Sequence, residues 1–213
     1  MAKMSMNKRL QGLYVITDPE LCKTDIITQA EQALSGGAQI VQYRNKTATA
    51  QQKQQEAMQL NQLCQKHHRV FIINDDVALA KMINADGVHI GQSDTTLKQA
   101  RTILGKEKII GVSCNNQLDW ALTAQQQGAD YVAFGRFFAS QTKPLAPPAT
   151  MDLLIQAKQQ LDIPIVAIGG ITPDNAPELV QAGADMLALI NGIFAQPDIC
   201  RAAQQIQQHF ICE

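Results

Sequence analysis

Three polar side chains spaced by two, Gln42, Arg44 and Lys46, follow the apolar pair Ile40-Val41, and two carboxylates, Asp75 and Asp94, fall after later apolar runs. Residues spaced by two share one face of a strand, which sets the amide and both cations on one side and Val41 and Tyr43 on the other. Polar groups of this kind cannot fill a core without partners. They suit an anion, with Arg44 as a bidentate donor and Lys46 as a point charge, together a diphosphate clamp; a solvated strand end is the alternative reading. The acids create a conflict. A carboxylate about 4 Å from a phosphate repels it by roughly 4 kcal/mol at an effective dielectric near 20. A magnesium ion between them turns repulsion into attraction, since magnesium takes one or two carboxylates together with substrate phosphates. Asp75 and Asp94 are the expected ligands. Asp76 is better placed to cap a helix starting near Val77, and Asp94 could also be a cap, with Thr95 competing for that role.

Further along, Ser113 ends an apolar run, where a hydroxyl could bind a phosphate oxygen or cap the next element. The stretch from Gly135 to Pro148 is the longest loop, and such loops are usually functional or disordered. Its hydroxyls and Lys143 fit a phosphate-binding lid. Ile168-Gly169-Gly170-Ile171 and Asn191-Gly192-Ile193 each close a late apolar run; glycine there lets backbone N–H groups approach an anion. His89 lies between apolar neighbours and reads as a satisfied core histidine, with no second histidine at ligand spacing. No Ser-His-acid order is evident, and nothing charged beside Cys114 would activate its thiol.

These residues need elements to position them. Short apolar runs near 12–17, 39–43, 70–73, 86–90, 108–113, 131–135, 164–168 and 186–190 read as strands. Helical patterns follow near 25–35, 48–67, 77–84, 95–104, 117–127, 150–161, 173–182 and 197–209. Strand-then-helix alternation argues for a parallel sheet covered by helices, and eight units predict a closed (β/α)₈ barrel. A doubly wound open sheet is the competing topology. Gly36-Gly37-Ala38, Asn84-Ala85-Asp86, Gly128-Ala129-Asp130 and Gly183-Ala184-Asp185 punctuate the pattern, each placing a residue suited to the left-handed conformation where a helix ends. Ligands of such barrels sit at the C-terminal ends of the strands, where the clamp, the acids and the glycine turns all fall.

The 213 residues, 46% hydrophobic, predict one domain over 12–213 behind a flexible leader at 1–11. A net charge of -1 gives no field to attract nucleic acid or an anionic membrane, so any phosphate affinity must be local. Five cysteines without a CxxC pair suit a reduced, cytoplasmic protein. No apolar run reaches the ~20 residues of a membrane span. Oligomeric state stays open, with a homodimer as one option.

Taken in order, Val41-Gln42-Tyr43-Arg44-Asn45-Lys46, Ile73-Asn74-Asp75, Asp86-Gly87-Val88-His89-Ile90-Gly91-Gln92 with Asp94, Gly111-Val112-Ser113, Phe134-Gly135 with Thr142-Lys143, and Ala167-Ile168-Gly169-Gly170-Ile171 resemble the thiamine-phosphate synthase family over nearly the whole chain. The resemblance implies a (β/α)₈ barrel that joins 4-amino-2-methyl-5-hydroxymethylpyrimidine diphosphate to 4-methyl-5-(2-phosphoethyl)thiazole, giving thiamine phosphate and diphosphate. It implies that Gln42, Arg44, Lys46, Asn74 and Lys143 hold the pyrimidine diphosphate, with Ser113 near the diphosphate. Arg44, Lys46, Ser113 and Lys143 would act on the leaving group, and Asp75 and Asp94 would hold Mg2+. Ser140, Thr142, Gly169, Gly170 and the strand-eight end, Ile190 and Asn191, would receive the thiazole phosphate. The chain departs from the family pattern at Asp76, Arg136, Ala139, Ser140, Ala149-Thr150 and Asn191. A related thiazole tautomerase is the enzyme alternative; that relative uses a histidine where this chain has Asn115. A catalytically silent barrel that binds a precursor is the non-enzyme alternative.

Overall fold

The computed structural model describes residues 9–21, 24–139 and 147–210. Eight strands form one closed barrel: β1 (Gly12–Ile16), β2 (Ile40–Tyr43), β3 (Val70–Asn74), β4 (Gly87–Ile90), β5 (Ile109–Asn115), β6 (Tyr131–Gly135), β7 (Ile165–Ile168) and β8 (Met186–Leu189). Every neighbouring pair is parallel, including the β1–β8 pair that closes the ring. That pair excludes the open sheet. The covering helices are α1 (Ile26–Ser35), α2 (Ala50–Lys66), α3 (Val77–Met82), α4 (Leu97–Leu104), α5 (Leu118–Gln126), α6 (Met151–Gln160), α7 (Ala176–Gln181), a short α8 (Asn191–Phe194) and α9 (Ile199–Gln207). The sequence pattern missed α8, whose four residues are too few for a helical period to register.

Strand alternation sorts the side chains into two cores. Leu13, Val15, Val41, Tyr43, Phe71 and Ile73 point outward under the helices. Tyr14, Ile16, Ile40, Val70, Ile72, Tyr131 and Met186 fill the barrel interior, as period two requires. Within the leader expected over 1–11, the described residues are docked: Leu10 is buried in the interior cluster, and Arg9 reaches Asp86 at 3.3 Å. Residues 1–8 lie outside the described residues.

The repeated punctuation has a physical basis at both of its ends. Gly37, Asn84, Gly128 and Gly183 all have positive φ, between 55° and 109°, and so reverse the chain after their helices. The aspartates that follow three of them brace the preceding strand. Asp86 accepts from the Phe71 N–H at 2.9 Å, Asp130 from Ile110 at 2.8 Å and Asp185 from Ile165 at 2.9 Å. Each also meets a cation, Arg9, Arg101 and Lys158 respectively. The fourth site has Gln39 in place of aspartate, and there Gln207 of α9 takes over, accepting from Leu13 N–H at 2.8 Å.

Of the three braces the Asp130 one is the most enclosed, with a 2.6 Å bond from Arg101. Asp130→Ala removes a charge-assisted acceptor and strands a backbone N–H, which is expected to cost about 2–3 kcal/mol and lower Tm by roughly 4–12 °C. Thermal unfolding followed by circular dichroism measures this, and a shift under ~1 °C would mean that the brace carries no weight.

Candidate active site

A cavity of about 490 Å³ opens at the C-terminal ends of the strands, within the size range of small-molecule sites. Gln42, Arg44, Asn74, Ser113, Gly169, Gly170, Ile190 and Asn191 all line it. Gln42 and Arg44 share the inward face of the β2 end. Their setting is rigid: the buried Thr17 hydroxyl accepts from Arg44 N–H at 2.9 Å, and Glu56 of α2 accepts from Tyr43 and Asn45. Asn45 Oδ1 accepts from the N–H groups of Thr47 and Ala48, folding the turn that carries Lys46. Among the described residues the Arg44 guanidinium makes no ion pair or hydrogen bond. An unpaired cation in a cavity is a ready anion site.

Asp75 and Asp94 form a second cluster beside the cavity, joined to it through Asn74. Asn74 lines the cavity and donates to Asp75 Oδ2 at 2.6 Å. Asp75 has φ 62°, a left-handed conformation that short polar side chains tolerate at some cost. Burial, then the neighbouring Asp94 carboxyl with which it shares a hydrogen bond, raises the Asp75 pKa above its ordinary 3.8; Asn74 and the charge of Lys46 act in the other direction. Two carboxylates forced together, with a lysine nearby, are a donor set that a divalent cation would satisfy. Asp94 Oδ2 also accepts from Gly91 N–H at 2.7 Å. The cap of α4 is neither Asp94 nor Thr95 but Thr96, in a capping box with Gln99; that leaves Asp94 facing Asp75. Asp76 caps α3 through Leu79 N–H at 2.8 Å, as its position in sequence suggests.

On the far side, Gly169 and Gly170 have φ of 105° and 64°. A Cβ on Gly169 would sit 2.4 Å from Arg136 Cβ, and one on Gly170 2.3 Å from the Ala139 carbonyl. These glycines therefore admit the segment after β6 as well as opening the cavity wall, a close approach that single-sequence reading does not reveal. Arg136 joins Arg44 as a cation of the cavity lining. Ser140, Thr142 and Lys143 lie outside the described residues.

Sequence reading missed the cavity floor. Tyr14 lines the cavity with His89 and Ser113, and Tyr131 is buried against them in the barrel interior. Gln42 Nε2 donates to the Tyr14 hydroxyl at 2.6 Å, the two tyrosine hydroxyls are 2.9 Å apart, and His89 bridges Tyr131 at 2.9 Å and Ser113 at 2.8 Å. His89 is satisfied, as its apolar neighbours imply, by the buried Tyr131 on one ring nitrogen and by Ser113 of the cavity lining on the other. The neighbouring Cys114 is buried, which pushes its thiol up to about 12.

The model of the family described as thiamine monophosphate synthase matches residues 13–193. The chain belongs to that family. A thiamine-phosphate synthase of Alcanivorax borkumensis is 54% identical over 206 residues, with 95% of each chain covered. One of Thioalkalivibrio sulfidiphilus is 48% identical over 204 residues, covering 95% of this chain and 97% of the relative. The solved thiamine phosphate pyrophosphorylase of Pyrococcus furiosus superposes with a TM-score of 0.88 at 33% identity, covering 96% of this chain and 97% of its own. The chain is accordingly a transferase of thiamine biosynthesis.

The Asp75 environment has a stability consequence with a definite sign. Its folded pKa is raised, so the cost of the ionised form is absent below 3.8, grows as pH rises through the folded value and is complete above it. Asp75→Asn keeps a donor toward Asp94 and tolerates positive φ. In metal-free protein at neutral pH it is expected to raise Tm by about 1–3 °C, with the two melting curves converging as pH falls toward 4. A variant less stable than wild type at neutral pH would contradict the like-charge conflict.

Proposed function

We propose that the barrel condenses 4-amino-2-methyl-5-hydroxymethylpyrimidine diphosphate with 4-methyl-5-(2-phosphoethyl)thiazole by a dissociative substitution, with Arg44, Lys46, Ser113 and Lys143 acting on the departing diphosphate. The observation that carries this reading is the Arg44 guanidinium in the cavity, without an ion pair among the described residues and two residues from a lysine whose charge acts on Asp75. The bond from the pyrimidine methylene carbon to the diphosphate oxygen breaks, and both electrons leave with the oxygen. The ring amino group spreads the positive charge left on carbon, and the thiazole nitrogen lone pair forms the new C–N bond. No general acid or base is required, which accords with phenols held protonated by burial and a Cys114 thiol pushed up to about 12. The protein contributes charge neutralisation and alignment.

Mg2+, when bound, would neutralise the leaving diphosphate, and Asp75 and Asp94 are the residues that would hold it. Gln42 and Asn74 would hold the pyrimidine side. Gly169, Gly170, Ile190 and Asn191, with Ser140 and Thr142, would receive the thiazole phosphate. The tautomerase reading needs a group that moves a proton, and the residue at that position, Asn115, lines the cavity with an amide, which has no accessible pKa for the task. The partners are small phosphorylated molecules. No described helix is long and apolar enough to cross a membrane, and a cytoplasmic setting belongs to the same proposal.

Purified protein with both substrates and magnesium is expected to form thiamine phosphate, measured by chromatography after oxidation to a fluorescent product. Arg44→Ala should lower kcat/KM about ten- to a hundredfold, the loss of one charge-assisted contact, and Asp94→Ala should abolish magnesium-supported turnover in a folded protein. Isomerisation of a carboxylated thiazole phosphate without condensation would establish the tautomerase instead. Binding without either reaction would establish a silent barrel.

A further inference from the structure

The hydrogen bonds beneath the cavity form one unbroken series from β2 to β5, and its members have few ways to place their protons. Gln42 Nε2 donates to Tyr14. Tyr14 then has one hydrogen of its own and one remaining partner, the Tyr131 hydroxyl at 2.9 Å. Tyr131, having accepted, donates its hydrogen to His89 Nδ1 at 2.9 Å. A neutral imidazole that accepts at Nδ1 carries its proton on Nε2, and that N–H donates to Ser113 Oγ at 2.8 Å. Both phenols are buried, which holds them protonated and leaves each one hydrogen to give.

Two ends of the series face the cavity. Gln42 Oε1 and the Ser113 hydroxyl hydrogen have no hydrogen-bond partner among the described residues, and both residues line the cavity. In this arrangement Gln42 offers an acceptor and Ser113 offers a donor. The reversed arrangement flips every bond together: Gln42 would then offer amide N–H groups, and the Ser113 hydrogen would be given to His89 Nε2, leaving only lone pairs for an anion. Intermediate arrangements leave two hydrogens facing each other or a buried acceptor empty, which costs far more than either uniform arrangement.

We propose that Tyr14, Tyr131 and His89 are positioning residues that relay hydrogen-bond polarity across the barrel floor, making Gln42 an acceptor for a ring amino group and Ser113 a donor to the diphosphate at the same time. The inference deepens the function proposed above and rests on it for the identity of the two ligand groups. Recognition of the amino group at one end thereby prepares the other end for the leaving group. Gly111 belongs to the device: a Cβ there would lie 1.9 Å from Tyr131 Cζ, so the tyrosine ring reaches its place only over a glycine. Tyr131 also stacks on His89, with ring centroids 5.6 Å apart and planes 23° from parallel, which holds the imidazole edge toward Ser113.

The polarity makes the two tyrosines unequal, and this gives the test. Tyr14→Phe cuts the series near Gln42 but leaves Tyr131 free to donate to His89. It should raise KM for the pyrimidine diphosphate about three- to tenfold and leave the His89 tautomer unchanged. Tyr131→Phe cuts both ends loose; kcat/KM for the pyrimidine diphosphate should fall about tenfold or more, KM for the thiazole phosphate should stay within about twofold, and His89 should become a mixture of tautomers. The tautomer is read by long-range proton–nitrogen NMR on protein with labelled histidine, His89 being assigned by loss of its signals in His89→Gln. Wild type bound to the pyrimidine diphosphate should show hydrogen on Nε2 alone. Hydrogen on Nδ1 in that complex would overturn the relay, as would a Tyr131→Phe protein with wild-type tautomer and kinetics. The wild-type spectrum decides the matter even if Tyr131→Phe fails to fold. A wild type that formed no thiamine phosphate would instead sink the proposed function, with the tautomer of the free protein still deciding the relay.

Discussion

Closure of the β1–β8 seam is the constraint on which the rest of this structure depends. With Gly12–Val15 paired to Met186–Leu189, no strand has a free edge, and every second side chain must point into a space of fixed width. Inside, that space has to be filled or hydrogen-bonded. Its lower part is filled by Ile40, Val70, Ile72, Ile109 and Met186. Its upper part is too crowded with polar residues to be a core and too enclosed to be solvent, and the Gln42-to-Ser113 series is the arrangement that satisfies it. The floor of the site is thus a consequence of barrel closure as much as of ligand recognition.

The two ends of the barrel use the same residue type to opposite effect. At the N-terminal end Asp86, Asp130 and Asp185 each accept from a strand N–H and meet a cation. Their charges are compensated, and the result is stability. At the C-terminal end Asp75 adopts positive φ against Asp94, while Arg44 lines the cavity with no ion pair among the described residues. The strain at Asp75 is relieved only in part, by Asn74 and by the charge of Lys46.

How much of this could be read from the chain follows from how local each signal is. The eight strands were legible because short apolar runs and the glycine or asparagine before each even-numbered strand are properties of a few adjacent residues. The shared placement of Gln42 and Arg44 was legible for the same reason, their spacing alone putting both on the cavity side of the β2 end, whereas Lys46, beyond the strand, is carried on the exposed turn. Asp76 as a helix cap is equally local. The capping box of Thr96 and Gln99 misdirected the reading by two residues, because Ser93, Asp94, Thr95 and Thr96 are all competent caps and only the loop geometry chooses. The four-residue α8 is below the length at which periodicity carries information.

The floor was illegible for a deeper reason. Tyr14 and His89 sit on β1 and β4 between apolar residues, Tyr131 opens β6 ahead of an apolar run, and in every local window an inward aromatic is indistinguishable from core. Their meaning lies in contacts across 117 and 42 positions of sequence. Gly111 shows the same limit from the other side. Its φ is not in the left-handed region, so conformation does not demand glycine there. What demands it is the ring of Tyr131 on the neighbouring strand, paired in register with Gly111 itself. A glycine and a tyrosine twenty residues apart form one volume-matched unit, and neither can be interpreted until the ladder that pairs them is known. Single-chain reading finds chemistry that is written along a strand; chemistry written across the strands requires the barrel.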